Sequence, residues 1–248
     1  MHAGLLCRIP YAPEQVAGRL ERAFPDDPTR FVCHETIYTA IYVLPRGDLR
    51  RELIDSLRQS RGKRRPRSRG DDRRGKIPNM ASIHTRPPEV ADRLVPGHWE
   101  GDLIKGARNA SSVGTLIERS SRLLLLARMD NATADGALEA FTTCLNRVCG
   151  SMRKSMTYDQ GREMARHKEL AAATGIAVYF ADPHSPWQRG SNENTNGLVR
   201  QYLPKGTDLS NLSQDDLDAI ALKLNTRPRR MHGFRTPMDV YAEFRRNT

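Results

Sequence analysis

Between His98 and Ala181 the hydrophobic periodicity switches repeatedly between two and 3.6 residues, and the order of the switches constrains the fold. Residues 98–106 (His-Trp-Glu-Gly-Asp-Leu-Ile-Lys-Gly), 112–119 and 122–129 read as strands, the last two joined by the polar turn Arg119-Ser120-Ser121-Arg122. Residues 134–148 predict an amphipathic helix with Ala137, Leu138, Phe141 and Leu145 on one side. A short strand ends at 156–159, a helix is expected over 163–174 and a last strand over 176–181. Three strands, helix, strand, helix, strand and then terminal helices describe an α/β fold whose sheet starts antiparallel. In such a sheet the first and fourth strands can be neighbours. Farther on, Ser213-x-x-Asp216 caps a helix whose apolar face is Leu217, Ile220, Ala221 and Leu224.

The N-terminal part has a different texture. Residues 12–24 predict a short helix, with Pro13 in its first turn and an apolar stripe of Val16, Leu20 and Phe24. Residues 34–43 predict a second, with Ile37, Ile41 and Ala40 turned inward. The pair fits a helix-turn-helix whose second helix enters a major groove, and it fits a plain helical hairpin as well. From Arg61 to Lys76 nine of sixteen residues are basic, Arg64, Arg65 and Arg67 among them, with almost nothing to bury. Such a run makes a phosphate-seeking linker or a merely solvated tether. At 248 residues the chain can hold one sizeable core and a smaller module. The expected organisation is a helical module over 1–48, a basic linker over 49–94 and an α/β core over 95–248.

The formal net charge of +11 favours a polyanionic partner, DNA or RNA before a membrane. The longest aliphatic run, Leu123 to Ala127, is far too short to span a bilayer, and the first residues lack the apolar length of a secretory signal. Cys7, Cys33, Cys144 and Cys149 form no C-x-x-C pair. They read as reduced thiols of a cytoplasmic protein, with Cys144 and Cys149 in a helix as core.

Polar residues dominate His184 to Gly197, where a helix should select good formers. Asn192, Asn194, Thr195, Asn196 and Gly197 have poor helix propensity, yet Leu198, Val199, Tyr202 and Leu203 continue the helical spacing until Pro204 and Gly206. A segment that breaks local propensity without an obvious packing gain is where a site is expected. Glu193 and Arg200, seven residues apart, share one helix face. The plainer reading is that Ser191 caps the helix and Glu193 complements its dipole. Asp102 within the first strand, Asp159 at the end of the fourth and Glu193 are oxygen donors suited to Mg²⁺ or Mn²⁺, and two such ions serve phosphoryl transfer. Glu100, Asp130 and Asp182 are rival acids. Trp187 beside a proline reads as packing, and His184 as either a site residue or a hydrogen-bonded loop histidine.

Several motifs resemble those of bacterial insertion-sequence transposases. They are Trp99-Glu100-Gly101-Asp102-Leu103-Ile104, Thr157-Tyr158-Asp159-Gln160-Gly161, Phe180-Ala181-Asp182-Pro183-His184-Ser185-Pro186-Trp187-Gln188-Arg189-Gly190, and Asn192-Glu193-Asn194-Thr195-Asn196-Gly197-Leu198 running on to Gly206. The resemblance is to the family founded on insertion sequence thirty, which shares a ribonuclease-H-like core with retroviral integrases, and it covers residues 12 to 245. It implies a mixed five-stranded sheet flanked by helices. It also implies that Asp102, Asp159 and Glu193, separated by 57 and 34 residues, are a catalytic acid triad holding Mg²⁺ or Mn²⁺. The activity implied is DNA cleavage and strand transfer by a homo-oligomer on the bacterial nucleoid. Arg189, Arg200 and Lys205 become DNA contacts, joined by the basic run at Arg64, Arg65 and Arg67. Thr36 and Tyr38 would read DNA from what is similar to the family's second helix-turn-helix. Family members usually carry a further DNA-binding module ahead of Pro13-Glu14-Gln15, so the resemblance implies a shortened N-terminus and leaves a non-catalytic DNA-binding remnant as the alternative. Cys33 stands where a serine cap is usual, at a cost of roughly 1 kcal/mol to the helix start.

Overall fold

A computed structural model describes residues 11–45, 47–49, 53, 77–183 and 185–246. The chain divides into two compact units. One takes in the described residues before 73 together with Arg227–Thr236, and the other the remainder. Residues 227–236, which by sequence read as part of the α/β core, thus group with the N-terminal helices.

In the smaller unit, α1 (Pro13–Ala23) and α2 (His34–Val43) follow the expected ranges, linked by a 3₁₀ turn at Pro28–Arg30. Pro13 opens α1 where its missing N–H is not needed, and the Gln15 side chain accepts from Ala12 N. Gln15 Nε2 also donates to Pro228 O at 2.8 Å. The Phe234 ring packs directly on Gly18, where an added Cβ would lie 2.3 Å from it, so only glycine admits the contact. Ile37 and Ile41 are half-buried in α2, but Ala40 is exposed. The Cys33 thiol does cap α2, accepting from Thr36 N at 3.4 Å.

The larger unit is a five-stranded sheet of order β3-β2-β1-β4-β5, made of β1 (His98–Lys105), β2 (Ser112–Glu118), β3 (Leu124–Met129), β4 (Ser155–Tyr158) and β5 (Ala177–Phe180). The first three strands pair antiparallel and β1, β4 and β5 parallel. Alternation along each strand splits the core between the two faces. Trp99, Leu116, Ala127, Tyr158 and Phe180 face α3 (Ala134–Asn146) and α4 (His167–Thr174), with Phe141, Leu145 and Leu170 in one cluster. Ile104, Val113, Ile117, Leu124 and Leu126 face α5 (Gly190–Val199) and α6 (Gln214–Asn225) through Leu198, Val199, Leu217 and Leu224. A final helix, α7 (Pro237–Arg246), closes the chain. Among the described residues no helix is long and apolar enough to cross a membrane.

Local chemistry moves three boundaries. The third strand starts at Leu124 instead of 122, because the Glu118 carboxylate accepts from Ser121 N and Oγ and holds 119–122 as a turn. Its Arg122 lies in the left-handed region. The helix expected over 163–174 is a 3₁₀ turn at Arg162–Met164 and then α4, separated by the non-helical Arg166. The helix expected to reach 148 ends at Asn146, which leaves Cys149 exposed while Cys144 packs in the core.

Candidate active site

β1 and β4 lie side by side, with His98 opposite Ser155, Trp99 opposite Met156 and Glu100 opposite Thr157. The offset in each pair is 57 residues, as the His98–Ser155 contact illustrates. Asp102 and Asp159 differ by the same 57, so they occupy matching positions where β1 continues past the end of β4. Two carboxylates thereby come to the C-terminal ends of adjacent parallel strands, where open α/β sheets bind ligands.

Alternation along β1 turns Glu100 and Asp102 toward α5. Asp102 Oδ2 accepts from Asn196 Nδ2 at 3.0 Å, and Oδ1 from Leu103 N at 2.9 Å. Asp159 Oδ1 accepts from Gly161 N at 3.0 Å, which sets the turn after β4. The Arg189 guanidinium spans the two acids, with Nη1 3.5 Å from Asp102 Oδ1 and Nη2 3.3 Å from Asp159 Oδ2. Burial pushes the Asp102 carboxyl above the usual range; the Arg189 charge opposes that and the Asp159 charge reinforces it.

The start of α5 is capped by tertiary structure. Ser191 does not serve as its cap, since it lies inside the helix and accepts instead from Arg122 Nη1. The Asn192 N–H, one of the amides with no partner inside the helix, donates to Glu100 Oε2 at 2.9 Å. Glu100 Oε1 meets Arg119 Nη1 at 2.6 Å in a fully buried pair. Asn192 Oδ1 accepts from Thr115 Oγ1. Two of the asparagines that spoil local propensity therefore make long-range hydrogen bonds, Asn192 to β2 and Asn196 to Asp102, while Asn194 is exposed.

Glu193 is exposed on α5. Among the described residues no group of three or more His, Cys, Asp or Glu side chains is gathered closely enough to hold a metal ion. The structure brings Asp102 and Asp159 together and leaves Glu193 one turn from the contact between Asn196 and Asp102. Glu193, Asn196 and Arg200 nonetheless follow each other at helical spacing on one stripe. Asn196 and Arg200 both reach β1, the second by donating to Lys105 O at 3.0 Å, and Arg200 donates to Leu203 O as well. The stripe that carries Glu193 thus borders the C-terminal end of β1.

The rival acids are engaged elsewhere. Glu100 is spent on Arg119 and α5, Asp130 pairs with Arg128 at the surface, and Asp182 accepts from Gln188 Nε2 and meets His84 Nε2. Trp187 is 70% exposed and packs into no core, because the Asp182–Gln188 bonds hold its 3₁₀ turn, Pro186–Arg189, outside the hydrophobic face. Lys205 and Thr36 are exposed and Tyr38 half-buried. His184, Arg64, Arg65 and Arg67 lie outside the described residues. Sequence reading missed Asn196 and the Glu100–Arg119 pair. Both carried a signal: Glu100 stands two residues before Asp102 and so shares its face, and Asn196 stands three after Glu193.

A mixed sheet with two acids at the ends of adjacent parallel strands, edged by a helix bearing a third, defines an integrase-type core. Residues 92–186 match the family model described as the Integrase core domain. The chain is 64% identical over 233 residues to the transposase for insertion sequence element IS1086 of Cupriavidus metallidurans, an alignment that takes in 94% of this chain and 69% of that protein. It is 42% identical to transposase InsI for insertion sequence element IS30A of Escherichia coli, over 93% of this chain and 61% of that protein. The chain belongs to the IS30 family of insertion-sequence transposases, whose members are polynucleotidyl transferases. Among solved structures, the catalytic core domain of BIV integrase aligns with a TM-score of 0.47 and 17% identity, covering 61% of this chain and 97% of that one.

Proposed function

We propose that this chain cleaves DNA at the ends of an insertion sequence and joins the freed 3′-hydroxyl to a target strand, with Asp102, Asp159 and Glu193 as its acid triad. The matched positions of Asp102 on β1 and Asp159 just past the end of the adjacent parallel β4 carry this reading. Their oxygens suit a hard divalent cation, Mg²⁺ or Mn²⁺, which takes one or two carboxylates and fills its other positions with water and phosphate. The bridging guanidinium supports the fit, because the pair already accommodates positive charge. Asp102 and Asp159 would hold the ion or a pair of ions, and Glu193 would reach the same edge along the stripe shared with Asn196. Bound there, the metal would activate the attacking oxygen and stabilise the leaving one.

The chain's own groups do the positioning. Asn196 fixes the Asp102 carboxylate, and the Gly161 amide fixes Asp159. Arg200, braced on two backbone carbonyls, and Lys205 lie past the end of the helix where a DNA phosphate can be held. The exposed Trp187 offers a face on which a base can stack, an interaction that tolerates any sequence. The module over 1–48, with Thr36 and Tyr38, would engage duplex DNA. The basic linker within 49–94, with Arg64, Arg65 and Arg67, would add salt-sensitive phosphate contacts ahead of the core that starts near residue 95. Joining two ends calls for more than one copy, so the active species is a homo-oligomer on the nucleoid.

The test is a plasmid carrying the element's inverted repeats, incubated with the full chain and Mg²⁺ or Mn²⁺. Joined products are expected, and each of Asp102→Ala, Asp159→Ala and Glu193→Ala should remove them. Cleavage without joining would reduce the protein to a nuclease, and undiminished joining by Asp159→Ala would refute the acid-triad reading.

A further inference from the structure

Arg189 stands between the two aspartates as a cation would. It ends the 3₁₀ turn Pro186–Arg189 and occupies the residue before α5. One nitrogen, Nη1, faces Asp102 Oδ1 and donates to Gly101 O at 3.2 Å, while Nη2 faces Asp159 Oδ2. The side chain is 14% exposed, against 27% for Asp102 and 41% for Asp159, so it is the least exposed of the three. Its contacts to the acids, at 3.3 and 3.5 Å, exceed the roughly 2.7–2.9 Å of a tight charge-assisted bond. It therefore spans both acids, donating a long hydrogen bond to Asp159 Oδ2 through Nη2 at 3.3 Å and standing 3.5 Å from Asp102 Oδ1. The oxygens it faces are ones a divalent ion would need, and a guanidinium and a dication cannot share the gap without strong repulsion.

We propose that Arg189 is a resident counter-charge that excludes the divalent ion from the free protein, and that a DNA phosphate draws it out, so that metal binding becomes dependent on DNA. The inference rests on the reading of Asp102 and Asp159 as metal ligands. A guanidinium binds phosphate with the same bidentate fork it offers carboxylates, so bound DNA supplies a competing anion. Linkage makes the effect reciprocal: DNA raises metal affinity by the factor by which metal raises DNA affinity. The consequence is protective, because metal occupies the site less readily until nucleic acid is in place. Arg189 acts here as a positioning residue, through the acids.

The measurement is the Mn²⁺ dissociation constant of the full chain, taken from the paramagnetic resonance signal of free Mn²⁺. It is made with and without a short DNA duplex, the duplex-alone binding being subtracted. For the unaltered protein, DNA should tighten Mn²⁺ binding by about 5-fold or more, the lower end of ordinary coupling. Arg189→Gln should bind Mn²⁺ tighter by a similar factor without DNA and show no further gain when DNA is added. Absence of any DNA effect on the unaltered protein overturns the proposal without recourse to a variant, and so does a DNA effect that persists in Arg189→Gln. Asp159→Asn separates the two levels. If it leaves Mn²⁺ binding intact, the metal-ligand reading falls and this inference with it. If it abolishes binding while Arg189→Gln changes nothing, this inference alone falls.

Discussion

Replacing Glu100 by glutamine removes one charge from a buried pair while preserving shape, so its cost isolates the electrostatics at the base of the site. Glu100 is fully buried and Arg119 is 5% exposed, with 2.6 Å between the paired atoms. At an effective dielectric constant of about 20 their attraction is roughly 6 kcal/mol, which offsets the several kcal/mol per ion lost on leaving water. The pair as a whole is near neutral for stability, whereas an unpartnered Arg119 in the same place costs ~3–5 kcal/mol. For a unit of this size that corresponds to a fall in Tm of roughly 6–20 °C. The glutamine carbonyl oxygen can still accept from Asn192 N, so the loss does not include the cap of α5. Glu118 stays satisfied by Gly97 N, Ser121 N and Ser121 Oγ even if Arg119 is replaced. Accordingly the double variant Glu100→Gln/Arg119→Met should recover most of the loss, to within ~2 kcal/mol of the parent. Thermal unfolding followed by circular dichroism reads both. A single variant that melts within ~2 °C of the parent would refute the argument, and so would a double variant no better than the single.

Burial lowers the His98 pKa to about 4, with Lys154, Arg119 and Arg86 adding to the depression and Glu89 opposing it. The unfolded chain takes up this proton near pH 6.5 and the folded one does not, so stability is complete above pH 6.5 and declines by about 3 kcal/mol as pH drops to about 4. Urea midpoints across that window should fall less steeply for His98→Asn; an unchanged slope contradicts the assignment. At α2, Cys33→Ser supplies a stronger acceptor for Thr36 N and should stabilise the smaller unit by ~0.5–1 kcal/mol, measured by urea unfolding of that unit, whereas a loss would mean the thiol caps better than a hydroxyl. On β1, Gly101→Ala would bring a methyl within 2.7 Å of the Tyr158 ring, at a cost of ~1–3 kcal/mol in thermal stability, and an unaltered melt would show that the ring yields freely.

Much of the sheet is legible because each strand and helix declares itself within a few residues. The spacing of Ala137, Phe141 and Leu145 specifies which side of α3 is buried, whatever lies opposite. The apolar alternation in 112–118 likewise specifies a strand. Boundaries shift where a side chain from elsewhere intervenes, as Glu118 does at the turn before β3. Asp102 and Asp159 are legible as candidates because acids within or at the ends of apolar strands are costly unless used. The family motifs then singled them out. Cys149 and Trp187 went astray because burial depends on where a helix stops or a loop is tied, and neither is written in the local pattern.

The amino-acid sequence by itself determined the order of strands and helices, the basic character of the chain and which acids are candidates, since these follow from periodicity, composition and motif. The tertiary structure decided that a 57-residue offset between β1 and β4 matches the two aspartates, that Glu100 caps α5 from a neighbouring strand, that Arg189 lies between the acids and that residues 227–236 join the N-terminal helices. Each of these is a contact between residues far apart in the chain, and its energy exists only once the intervening segments are closed into register. Local propensity carries no record of that closure.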